Sequence, residues 1–111
     1  MPMSKEGTDE IATLDGLEVR VMRIPVLSTS HISETSRALL TAGQAPWLAH
    51  CAPYEFGWFV AVPAPSVVAA PSEPPIPEDL KSLFIWADKH GFGWIRLDAD
   101  GDQVEGLPIF P

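Results

Sequence analysis

The sequence predicts an α+β fold, a small mixed β-sheet with two helices packed on it in two layers. Three observations carry this. Leu80, Leu83, Phe84 and Ala87 recur at i, i+3, i+4 and i+7, the spacing of one helix face. Leu17, Val19 and Val21 alternate with Glu18 and Arg20, the pattern of a half-covered strand. Phe56 to Val62 is apolar almost throughout, which fits a central strand covered on both faces, or covered on one face by a second subunit. The predicted order is β-α-β-β-α-β-β. It forms one domain over residues 17–111, after a mobile acidic tail at 1–16.

The first predicted strand runs from Leu17 to Leu27. Its apolar phase changes midway, because Met22, Ile24 and Val26 occupy even positions, so the spacing predicts a bulge or a strand that becomes covered on both faces. Pro25 has no N–H to give a ladder and places that end at an edge or a bulge. Ser30 or Ser33 is the expected N-cap of a short helix, with Glu34 in its first turn. Ala38, Leu39 and Ala42 would form its apolar face, and Gly43 would close it. Trp47 to Cys51 reads as a short strand and Ala52 to Glu55 as a turn into the central strand.

Residues 63–77 hold a Pro-rich connector, extended and semi-rigid. Pro77-Glu78-Asp79 then opens the second helix, where acids complement the positive end of the dipole. His90-Gly91 ends it. A strand from Gly93 to Asp98 follows. Asp100-Gly101 is expected to form a type I′ turn, with Gln103 to Gly106 as the return strand.

Fifteen acidic residues face seven basic ones, a formal charge of −8. A surface of that sign repels nucleic acid and anionic membranes and favours a partner with a basic surface. No apolar run has a membrane span's length, no secretory leader is evident, and the single cysteine cannot form an intrachain disulfide. These features imply a cytoplasmic setting.

Chemistry-bearing patterns are few. Asp98, Asp100, Asp102 and Glu105 are the densest acid cluster. An EF-hand loop needs glycine sixth and an acid twelfth. Counted from Asp98, Gly101 falls fourth and Glu105 eighth, so no metal is expected. His50-Cys51 are neighbours that would point to opposite faces of a strand, and no metal-ligand spacing accompanies them. Thr29, Ser30 and His31 resemble hydrolytic residue types, but no nucleophile elbow surrounds them. The glycines are scattered and form no phosphate loop. No cofactor and no catalytic residue is expected. On the second helix, Ile85 lies between Lys81 and Lys89, away from the core face, and Trp86 lies on the flank. Tryptophan is enriched at interface hot spots, so Ile85 and Trp86 are candidate partner contacts unless Val67-Val68 folds back over them.

Four stretches together carry a resemblance: Ser28 to Ile32, Tyr54 to Gly57, Ala87 to Gly91 before Trp94, and Leu97 to Gly101 with Leu107-Pro108. Their order and spacing resemble a family of short uncharacterised bacterial proteins carried on plasmids, phages and integrative elements. The resemblance covers Val26 to Phe110, less the proline connector. It implies a mobile-element protein with a host-interaction or anti-defence role, and it brings no catalytic residues.

The expected function is therefore a non-enzymatic interaction protein that binds a host protein. In its sharper form it inhibits a defence or DNA-binding complex as a nucleic-acid mimic, with Asp98, Asp100, Asp102, Glu105, Glu78 and Asp79 standing in for phosphates. One alternative is a small enzyme or ligand-binding domain, with Trp58, His31 and Tyr54 converging on a pocket beside the central strand. The other is a structural homodimer that covers Phe59 and Ala61.

Overall fold

The computed structural model describes residues 9–111. Strands β1 (Asp9–Leu14) and β2 (Leu17–Met22) form an antiparallel hairpin of their own. The main sheet contains β3 (Val26–Ser28), β4 (Cys51–Tyr54), β5 (Gly57–Ala61) and β6 (Trp94–Asp98) in the spatial order β3-β6-β5-β4. β3 runs parallel to β6, and the other two pairings are antiparallel. Helices α1 (Glu34–Ala42), α2 (Pro65–Ala69) and α3 (Glu78–Lys89) complete an α+β fold.

The predicted strand from Leu17 to Leu27 is two strands in two sheets. The phase change that suggested a bulge is the break between them, at Arg23-Ile24-Pro25. Asp9–Leu14, expected to lie in a structureless tail, is the partner strand of β2, while residues 1–8 of that tail lie outside the described residues. The hairpin turn is Asp15-Gly16, with φ of 52° and 79°. Positive φ at both central residues is the type I′ requirement, and Leu14 pairs with Leu17 across it.

The second expected hairpin does not form. β6 lies inside the sheet, with β3 on one edge and β5 on the other, so no edge remains for a return strand. Asp98 Oδ1 instead accepts the Asp100 N–H at 2.8 Å, a side-chain turn that redirects the chain. The chain then crosses to β3, where Asp102 bridges Leu27 in parallel. Gly101 makes that crossing possible, since a Cβ there would lie 2.4 Å from the Leu27 carbonyl.

Two smaller corrections concern β4 and α1. β4 begins at Cys51, and the turn sits at Glu55-Phe56 rather than at Ala52–Glu55. Pro53 is tolerated because β4 is an edge strand. Ser33 caps α1 by accepting the Ser36 N–H, and Gly43 closes it at φ 67°. The buried line of α1 is Ser36 and Leu40, whereas Ala38 and Ala42 are exposed.

Cross-strand partners share a sheet face. Val60, Ile95, Leu97 and Leu27 are buried in one core with Leu40 of α1 and Leu80, Leu83, Phe84 and Ala87 of α3. The other face carries Tyr54, Phe59, Ala61, Trp94 and Arg96, all only partly buried. β5 is interior, as its composition implies, but the helices cover only one of its faces. The proline connector is docked. Its middle forms α2, Val68 enters the core, and the Pro74 carbonyl accepts the Trp47 indole N–H at 2.9 Å.

Candidate functional site

A cleft of about 380 Å³ opens between α1 and the β4–β5 turn. Arg37 and Thr41, one turn apart on α1, line one side with Thr29. Tyr54, Phe56 and Trp58 are among the residues of the opposite wall. Two of the three residues expected to converge on a pocket, Tyr54 and Trp58, are therefore there, and His31 is not.

His31 is fully buried and tied to the C-terminal segment. Its Nδ1–H donates to the Pro108 carbonyl, and its Nε2 accepts the Val104 N–H, both at 2.8 Å. That pattern fixes the Nδ1–H tautomer and uses both nitrogens for structure. Phe110 N–H to Ser30 O, at 2.7 Å, holds the same segment.

Beside the cleft, the Tyr54 hydroxyl bonds Asp98 Oδ2 at 2.5 Å and accepts from Arg96 Nε at 2.9 Å. Arg96 also pairs with Asp98 Oδ2 at 3.1 Å and lies over the rings of Tyr54 and Phe59. The Tyr54 hydrogen bond, the Asp100 N–H and Arg96 hold the Asp98 carboxyl below the ordinary carboxylate range. Burial, followed by the bond to Asp98, raises the Tyr54 phenol.

The candidate acids divide. Asp98 is buried, with its oxygens taken by Tyr54, Arg96 and Asp100. Asp79 is also buried: it accepts the Ser33 N–H at 2.6 Å and the Ser36 hydroxyl at 2.8 Å, joining the start of α3 to the start of α1. Buried in this way, neither Asp98 nor Asp79 can stand in for a phosphate at the surface, as was expected of them. Glu78, Asp100, Asp102 and Glu105 are exposed. Glu78 lies 3.8 Å from Lys81.

Ile85 is exposed beside an apolar groove of about 270 Å³ that includes Pro63, Pro65 and Val68. The connector thus folds back onto α3 without covering Ile85. Trp86 is half-buried against the core, 5.9 Å from the Phe92 ring and 5.0 Å from His90. Cys51 is half-buried, and burial raises its thiol, which disfavours the nucleophilic thiolate. Among the described residues, no three His, Cys, Asp or Glu side chains gather as a metal site, and no helix is long and apolar enough to cross a membrane.

Sequence reasoning did not single out Arg37. Its signal was available: a lone cation on a short helix, four residues before Thr41 and close in sequence to Thr29. Comparison with curated proteins and with solved structures finds no match. The pattern of a family described as "Family of unknown function (DUF5983) C-terminal domain" matches residues 24–111, well over half of the chain. It spans the main sheet, the helices and the cleft, and begins just after the β1–β2 hairpin. The chain belongs to the DUF5983 family, through the C-terminal domain that defines this match.

Proposed function

We propose that this chain is a non-enzymatic interaction protein of a mobile element and binds a host protein. The observation that supports it is the β1–β2 hairpin. Ile11, Leu14, Leu17, Val19 and Met22 are exposed, and no hairpin residue belongs to the hydrophobic core. The pairing puts Ala12, Leu14, Leu17, Val19 and Val21 on one face of the hairpin, with Glu10 at its end, and Ile11 and Met22 on the other face. An apolar ribbon outside the core is a contact surface in search of a partner, because a lone two-stranded hairpin is marginal in water. In the sharper form of the proposal, Asp100, Asp102, Glu105 and Glu78 add a phosphate-like charge pattern that engages a basic partner and inhibits a defence or DNA-binding complex. Asp79 and Asp98, being buried, drop out of that set.

The test is affinity capture from nuclease-treated bacterial lysate at low and high salt. Capture that survives salt and disappears with Leu17→Glu supports the hairpin as the contact. Capture lost at high salt and on reversal of Asp100, Asp102 and Glu105 to lysine supports the mimic. If neither set of substitutions changes what is recovered, the interaction reading is wrong. Light scattering separates it from a homodimer covering Phe59 and Ala61.

A further inference from the structure

We propose that the cleft between α1 and the β4–β5 turn binds an oxyanion, a carboxylate or phosphate, carried on a small apolar body, with Arg37 as its counter-charge. The inference is independent of the hairpin. In a chain with fifteen acids and seven bases, Arg37 is half-buried and forms no ion pair among the described residues. A guanidinium has five N–H donors. Arg37 makes one hydrogen bond there, from Nη2 to the Thr29 carbonyl at 3.0 Å. Its Nε is buried and meets no acceptor among the described residues. Partly buried cations are normally paired, because desolvation penalises the charge. Among the described residues, Arg37 has an anchor and no counter-charge.

The surroundings define the ligand. Nε is closed to solvent, so an incoming anion meets the outer Nη groups, which suit a carboxylate or phosphate edge. Thr29 and Thr41, whose side chains carry hydroxyls, flank it. Pro53, Phe56 and Trp58 give the rest of the cleft an apolar wall, suited to a ring or short hydrocarbon. About 380 Å³ is the size of a small-ligand site. Among the described residues Glu55 is the only acid in the lining, and it is exposed, so it opposes an anion without neutralising Arg37.

The test is a titration of the ¹⁵N-labelled protein, reading the Arg37 Nε–H and Trp58 indole N–H resonances. The probes are phenylacetate, phenyl phosphate and the neutral phenylacetamide. The expected result is a saturable shift of both signals with at least one anion, and at least about tenfold weaker binding of the amide. The tighter anion identifies the class of oxyanion the site takes. Arg37→Gln should abolish binding, Thr41→Val should weaken it, and Glu55→Gln should strengthen it. Equal binding of the amide, binding that persists in Arg37→Gln, or no saturable shift with either anion overturns the proposal. The acid-against-amide comparison uses the unaltered protein and decides the matter even if the Arg37 variant does not fold.

Discussion

Asp98 was a candidate for the surface because it belongs to a run of acids, and the structure uses it inside a network instead. A carboxyl held below its ordinary range contributes stability that is present above the unfolded value, about 4. That stability is lost as pH falls through the lowered value. Asp98→Asn should therefore lower stability at neutral pH and flatten the acid limb of a urea-stability profile measured from pH 6 down to pH 2. For Tyr54 the sign is reversed. Its raised phenol contributes below the unfolded value, about 10, and that contribution is lost as pH rises above it, so Tyr54→Phe should flatten the alkaline limb. His31 has a different role, since each ring nitrogen holds the C-terminal segment. His31→Ala should cost roughly 2–4 kcal/mol in urea denaturation, two hydrogen bonds to the backbone plus a cavity. None of these partnerships was legible beforehand. The partners of His31 lie 73 and 77 residues away, and those of Asp79 43 and 46, beyond what local spacing can report.

At the scale of elements, the same dipeptide occurs twice with opposite outcomes. Asp15-Gly16 makes the type I′ turn and Asp100-Gly101 does not. Only Asp100-Gly101 stands between two stretches that read as strands in the sequence, so local signals favour the wrong one. What decides is whether the first strand has a free edge: β1 does, and β6 is enclosed. The α1 and α3 helices were legible because caps and periodicity are local signals. The division of Leu17 to Leu27 was visible as a phase change, but a bulge and a change of sheet leave the same trace. Two glycines test this picture. A Cβ on Gly57 would meet the Leu97 carbonyl oxygen at 1.8 Å, so Gly57→Ala must force β5 and β6 apart and should cost more than about 3 kcal/mol, read by thermal melting. At Gly16 a Cβ has open space and only the φ of 79° is strained. Gly16→Ala should cost about 1 kcal/mol, seen as faster amide exchange in the hairpin with the main sheet unchanged.

For the molecule as a whole, composition announced the negative charge and periodicity the α+β class, and the arrangement of its surfaces needed the structure. The cleft was half legible: Tyr54 and Trp58 were expected at a pocket beside the central strand, while His31 lies outside it and Arg37 comes from a helix whose orientation no local pattern fixes. The hairpin was the larger omission, because Asp9–Leu14 gains its meaning only from pairing with β2. The order of the main sheet also has a consequence for biosynthesis. β3 and β5 are not paired with each other, and each pairs with β6, which is made after both. Until residue 98 has left the ribosome, the nascent chain carries β3 and the β4–β5 pair as separate pieces with open edges. The sheet closes in one late event, so slow translation beyond residue 61 lengthens the interval in which those edges can meet another chain.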